Sequence, residues 1–191
     1  MIGNTADKIL QIAHEVGAIK YGNFTLASGT SSSYYFDGRL ISLHPEGAYL
    51  IGRAIMDTLT GSDVKSIGGP ATAAIPLVTA TAIVSHLDGK PIEAFFVRSQ
   101  AKDHGTNQSI EGSIIPGSSV AIVDDVCTSG NSIFTTIEAV EKIECKVESV
   151  IVLLDRDQGG ATKITDMGYK FVALLKADAS GKIRKVRGDK D

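Results

Sequence analysis

A chain of 191 residues, 43% apolar and 21% charged, can bury a substantial core and is expected to form one domain over 1–191. Its 19 basic and 22 acidic residues leave a net charge of −3, which argues against a broad nucleic-acid footprint. The polar N-terminus does not read as a signal peptide, no run is apolar enough for a membrane span, and Cys127 and Cys145 lack metal or disulfide spacing, so a reducing cytoplasm is expected. The spacing of Ile9, Ile12, Ala13 and Val16 predicts a helix over Asn4 to Val16, started by Asn4 or Thr5 and ended by Gly17. From Gly22 to Arg39 two β-prone runs flank a Ser/Gly/Thr turn, a predicted hairpin. His44-Pro45-Glu46-Gly47 opens a second helix to about Leu59, with His44 a helix-start residue. Val64 to Gly68 is a predicted strand, followed by a turn over Gly69 to Ala74 and an apolar helix ending near Asp88-Gly89. Ile92 to Val97 is a strand, and Arg98 to Gly112 a long polar loop. Val120 to Val123 begins another strand, Ser132 to Ile143 is a helix, and Val147 to Leu154 a strand. Ala161 to Met167 is a helix, Tyr169 to Leu175 the final strand, and the basic tail Lys182 to Arg187 solvated surface. Alternating strands and helices in this order predict an α/β fold with a mainly parallel sheet.

The stretch Val120 to Ser132 carries the chemistry. Four apolar residues run into Asp124 and Asp125, and Thr128-Ser129-Gly130-Asn131-Ser132 then supply hydroxyls and backbone N–H groups where a helix begins. A helix N-terminus of this kind favours phosphate, through its unpaired amides and its dipole. The two carboxylates fit hydroxyl groups or a hydrated metal instead. A ligand with a phosphate and a vicinal diol, a ribose 5-phosphate, satisfies both halves. Cys127 has no Cys/His/Asn arrangement around it and reads as a small filler. Gly69-Pro70-Ala71-Thr72-Ala73-Ala74 follows a strand with small residues that let backbone approach an anion. In the polar loop, Arg98, Lys102 and His104 gather donors suited to a pyrophosphate. Arg156 stands at the C-terminal end of a strand, where open α/β sheets bind ligands; a salt bridge with Asp155 or Asp157 is the competing reading.

The series of apolar strand, two acids, Val, any residue, Thr, any residue, Gly, any residue, Ser closely resembles the phosphoribosyl-pyrophosphate (PRPP) motif of type I phosphoribosyltransferases. Phe24-Thr25-Leu26-Ala27-Ser28-Gly29, then Ser, Tyr34 and Asp37, resembles the N-terminal hood of the orotate branch. Val97-Arg98 through Lys102, His104-Gly105 and Ile110-Glu111-Gly112 resembles its mobile catalytic loop, and Leu154-Asp155-Arg156 with Gly159-Gly160 its orotate-contacting arginine segment. The resemblance implies the type I phosphoribosyltransferase fold, with a hood mainly from 1–40 and a core over 41–180. It implies transfer of ribose 5-phosphate from PRPP to orotate, giving orotidine 5′-monophosphate and pyrophosphate in pyrimidine biosynthesis. Lys102, His104, Asp124 and Asp125 are the implied catalytic residues. PRPP and its pyrophosphate fall to Ala71, Thr72, Ala73, Arg98, Lys102, His104 and the run Asp124, Asp125, Val126, Cys127, Thr128, Ser129, Gly130, Asn131 and Ser132. Orotate falls to Ser28, Gly29, Tyr34, Phe36, Thr128 and Arg156. Mg²⁺ is the implied cofactor, held through PRPP and water near Asp124 and Asp125 with no direct protein ligand. A homodimer is implied, with the loop 98–112 shared across subunits. Family lysines are absent at Ala27, Ala73 and Ser99. Transfer to another nucleobase, and a PRPP-sensing regulator that binds nucleic acid, remain the alternatives.

Overall fold

The structure, a computed structural model, describes residues 2–25, 29, 31–98 and 109–186, with side chains from residue 5 onward. The elements run α1 (Ile2–Glu15), β1 (Ile19–Thr25), β2 (Ser31–Phe36), α2 (Arg39–Ser42), α3 (Pro45–Thr58), β3 (Ser66–Pro70), α4 (Ala74–Leu87) and β4 (Glu93–Val97). They continue as β5 (Ile110–Gly112), β6 (Ser119–Cys127), α5 (Asn131–Glu141), β7 (Lys146–Asp155), α6 (Gly160–Asp166), β8 (Lys170–Ala177) and β9 (Ile183–Lys185).

The main sheet has seven strands in the order β5-β4-β3-β6-β7-β8-β9, and β1 and β2 form a separate antiparallel hairpin. The five inner strands are parallel; β5 and β9 close the edges antiparallel. Parallel strands covered on both faces read as continuous apolar runs, and Val120 to Val123 are all fully buried. Their alternation divides the core. Ala121 and Val123 join α1, α3, α4 and the hairpin's Tyr34 and Phe36. Val120 and Ile122 face Ile133, Ile137 and Val140 of α5 and Ile164 of α6.

The expected α/β architecture is present, with several corrections. α1 starts at Ile2 rather than Asn4. β3 begins at Ser66 and runs through Pro70, so the first part of the predicted turn is strand, held by pairing with β4 as far as Pro70↔Val97. The end of the polar loop is strand β5, whose Ile110 to Gly112 pair with Val97 to Phe95. β8 is not the last strand: Ile183 to Lys185 of the basic tail pair with β8 as β9, with Ile183 buried. β6 extends through both acids to Cys127, because β7 continues alongside it to Cys127↔Asp155. The short helix α2 had no sequence signal. His44 caps α3, its Nδ1 accepting from the Gly47 amide at 3.2 Å.

The topology opens a crevice. The chain passes from β3 outward to β4, then returns to the other side of β3 as β6. β3 and β6 pair only from Ser66↔Val120 to Gly68↔Ile122. Beyond that, β3 stays with β4 and β6 with β7. This reversal of strand order marks where open α/β sheets bind ligands, at the carboxyl ends of their strands.

Candidate active site

Asp124 and Asp125 lie on β6 just past the point where β3 leaves its ladder. Gly69 is the hinge of that parting: a methyl group there would strike the Val123 carbonyl and lie 2.6 Å from Ala74 Cβ. Only glycine lets the two strands come this close before separating.

Asp124 is 4% exposed. One carboxylate oxygen accepts from the Ser132 hydroxyl at 2.9 Å, and the other from the Asp125 amide at 2.9 Å. Burial, then the Asp125 charge, push its carboxyl up to about 7 against the pull of the Ser132 bond. Asp125 is half-buried and also raised, mainly by burial; Asp37 adds to the shift and Arg39 opposes it. Its neighbour is Gly38, where an added methyl would lie 3.0 Å from Asp125 Cβ and Oδ2. Arg39 is tied to Asp37 through Nε at 2.8 Å and Nη2 at 2.9 Å, a two-point pair beside Asp125. Asp37, Gly38 and Arg39 are the site residues that motif reading missed as neighbours of the acids, because they sit nearly ninety positions away.

Gly130 turns the chain into α5 with φ 82° and ψ 3°, a left-handed conformation natural for glycine. No side chain caps α5 at Gly130, and Asn131 and Ser132 are exposed. The turn is braced from below by α6: the Gly160 amide donates to the Thr128 carbonyl at 3.0 Å. A methyl at Gly160 would lie 2.6 Å from both that oxygen and Cys127 Sγ. Cys127 is fully buried, and burial with the nearby Asp155 and Asp124 pushes its thiol up to about 12. It stays a neutral thiol at physiological pH, as a filler residue should.

Across the crevice, Ala71 donates its amide to the Val97 carbonyl at 2.7 Å, and the Ala71–Thr72 peptide bond is cis. Thr72 is exposed and Ala71 and Ala73 half-buried at the start of α4, which no side chain caps at Ala73. Arg98 follows β4, with its amide on the Ser109 carbonyl at 2.8 Å and its guanidinium 3.6 Å from Glu111. Ser28, Lys102 and His104 lie outside the described residues.

Arg156 follows β7, and its amide donates to the Cys127 carbonyl at 3.0 Å. Its side chain makes no ion pair with Asp155 or Asp157 among the described residues. Lys176 takes those acids, at 3.8 Å and 2.9 Å. Arg156 instead stacks over the Tyr34 ring, Cζ 4.5 Å from the centroid, and donates to Ser32 Oγ at 3.0 Å. A partly buried stack of this type is worth about 1–2 kcal/mol. Burial raises the Tyr34 hydroxyl's pKa, with Arg156 opposing. Phe36 packs into the core below Gly38, and Gly29 is exposed at the hairpin tip. The crevice therefore joins the acids, the α5 turn, the β3–α4 turn, Arg98 and Arg156 along the carboxyl ends of four neighbouring strands.

Comparison with known proteins agrees with this geometry. Residues 50–183 match the phosphoribosyl transferase domain family. The orotate phosphoribosyltransferase of Nostoc sp. is 41% identical over 159 residues, spanning 83% of this chain and 77% of that protein. The chain belongs to the orotate phosphoribosyltransferases. The crystal structure of the Mycobacterium tuberculosis orotate phosphoribosyltransferase in complex with PRPP is similar, with TM-score 0.75, 31% identity, and coverage of 90% of this chain and 96% of that one. A phosphoribosyltransferase from Corynebacterium diphtheriae matches with TM-score 0.79, 29% identity, and coverage of 94% and 99%. In this chain the strand-order reversal between β3 and β6 lies just before Asp124 and Asp125.

Proposed function

We propose the following division of labour for the transfer of ribose 5-phosphate from PRPP to orotate, the family's reaction, which yields orotidine 5′-monophosphate and pyrophosphate for pyrimidine biosynthesis. The observation that carries it is the pair of acids on β6, beyond its pairing with β3 and directly before the uncapped start of α5.

The amides and hydroxyls from Thr128 to Ser132 hold the 5-phosphate, where the helix dipole favours negative charge. Asp124 and Asp125 accept from the ribose hydroxyls. As the C1′–O bond breaks, the ring gains positive charge, and an ionised acid nearby stabilises it. Arg98, Lys102 and His104, with the amides of the turn at Ala71, Thr72 and Ala73, take the charge that grows on pyrophosphate. Lys102 or His104 gives the departing pyrophosphate a proton. With no lysine at positions 27, 73 and 99, this task concentrates on those three side chains. Arg156, with the hairpin at Ser28, Gly29, Tyr34 and Phe36, and Thr128 form the orotate side.

Mg²⁺ is the proposed cofactor. Among the described residues no three His, Cys, Asp or Glu side chains are grouped to hold a metal alone. Asp124 and Asp125 are the nearby carboxylates, each able to accept further hydrogen bonds. Such a donor set fits an ion that keeps its waters and takes oxygens from PRPP. When bound, it supplies positive charge to the pyrophosphate.

We further propose one domain over 1–191 acting as a homodimer, with the loop 98–112 serving the partner's site. Exposed Leu43, Tyr49, Ile83 and Leu87, on or beside the contacting helices α2, α3 and α4, support a covered face there. No helix among the described residues is long and apolar enough to cross a membrane. The buried free thiols of Cys127 and Cys145 suit the cytoplasm. The test is turnover with orotate against adenine, hypoxanthine and uracil; consumption of orotate alone supports the reading, and preference for another base defeats it.

A further inference from the structure

The hairpin and the carboxyl end of β7 meet through Ser32 and Arg156, 124 positions apart. The geometry at Ser32 is specific. Its hydroxyl donates to the Tyr34 carbonyl at 2.7 Å, and the Tyr34 amide donates to Ser32 Oγ at 3.3 Å. With its hydrogen spent on its own strand, Ser32 Oγ turns a lone pair to Arg156 Nη2 at 3.0 Å. Below, the Tyr34 ring supports the guanidinium face at 4.5 Å. One contact fixes the plane of the group and the other its rotation within that plane. A free arginine would spread over many rotamers.

Two polar atoms in this assembly are left over. Arg156 Nε and the Tyr34 hydroxyl are both buried without a hydrogen-bond partner. Both are closed off inside the stacked pair, so the arginine meets a ligand only through its remaining outward N–H groups.

We propose that Ser32 is a positioning residue. It sets the Arg156 guanidinium so that its outward N–H groups meet the anionic edge of a planar carboxylated base, and so governs selection of that base over a neutral one. The inference rests on the assignment of Arg156 to the base side of the site. Tyr34 acts here as the platform beneath the arginine, and Ser32 as the stop that fixes its angle. Removing the stop leaves the arginine present but free to turn, which weakens binding of a carboxylate and leaves the PRPP side untouched.

The experiment compares the unsubstituted protein with Ser32→Ala and Ser32→Thr. It measures KM for orotate, KM for PRPP, the inhibition constant of uracil, which lacks the carboxylate, and Tm. In Ser32→Ala, KM for orotate rises about tenfold, the size expected for a lost hydrogen bond to a charged group. KM for PRPP and uracil inhibition stay as they were, and Tm falls by a few degrees at most. Ser32→Thr, which keeps the hydroxyl, restores most of the orotate affinity. An unchanged orotate KM in Ser32→Ala overturns the proposal. So does an equal loss of affinity for orotate, PRPP and uracil, which marks a purely structural residue. If the unsubstituted protein binds PRPP but does not consume orotate, the functional reading fails first and takes this inference with it.

Discussion

Ser132 donates its hydroxyl hydrogen to Asp124 across 2.9 Å, tying the first turn of α5 to the end of β6. The bond favours the ionised carboxylate, which burial otherwise disfavours. Removing it in Ser132→Ala therefore raises the Asp124 pKa further above about 7. If ionised Asp124 serves the reaction, the acid limb of kcat/KM moves up by about one pH unit, the equivalent of a charge-assisted hydrogen bond. Ser132→Thr keeps the limb in place. A pH profile that does not move in Ser132→Ala contradicts this role.

The same acid makes stability depend on pH. Its folded pKa of about 7 lies above the ordinary aspartate value of 3.8, so the folded chain holds the proton more tightly. The contribution is fully present below the unfolded pKa and is lost as pH rises through about 7. Asp124→Asn removes the ionised form. Its Tm should nearly match that of the unsubstituted, ligand-free protein near pH 4, with an excess that grows through pH 5–7 and reaches several degrees near pH 8. An equal Tm difference at both ends of this range rules this out.

Gly160 lies under the Thr128–Ser132 turn with no room for a side chain. Gly160→Ala would press 2.6 Å against Thr128 O and Cys127 Sγ. We expect a loss of about 1–3 kcal/mol in denaturant unfolding, typical of an overpacked site. KM for PRPP should rise while KM for orotate changes little. Wild-type PRPP affinity in a destabilised variant would show that the turn does not hold the phosphate.

Much of this site was legible in the sequence because its parts are local. The acids, the turn and the α5 start lie within Val120 to Ser132, and strand patterning places them at one end of the sheet. Edge strands β5 and β9 escaped notice because three residues are too few to show an alternation, and only pairing with β4 and β8 makes them strands. The acids seemed to follow the strand because they end its apolar run; the ladder with β7, which carries them into β6, has no local signal. The tertiary neighbours were equally hidden. Nothing local tells that Gly38 abuts Asp125 or that Ser32 reaches Arg156.

The proposed sharing of loop 98–112 across subunits makes a prediction about mixed subunits. Lys102→Ala should lower kcat far more than it weakens PRPP binding. The doubly substituted Asp124→Asn/Asp125→Asn protein should also be inactive. If Lys102 serves the partner's acids, random exchange of the two variants creates hybrids with one intact site. Activity then returns to about a quarter of the unsubstituted level, as expected for a two-fold dimer. Activity that stays at the sum of the two separate variants contradicts sharing across subunits.

The most direct test mixes the purified protein with orotate, PRPP and Mg²⁺ and follows the loss of orotate's ultraviolet absorbance. The account predicts a loss that requires both PRPP and the metal and disappears in Asp124→Asn/Asp125→Asn, with the fold kept. Orotate left unconsumed by the unsubstituted protein while PRPP still binds, or consumed equally well without the two acids, would contradict it.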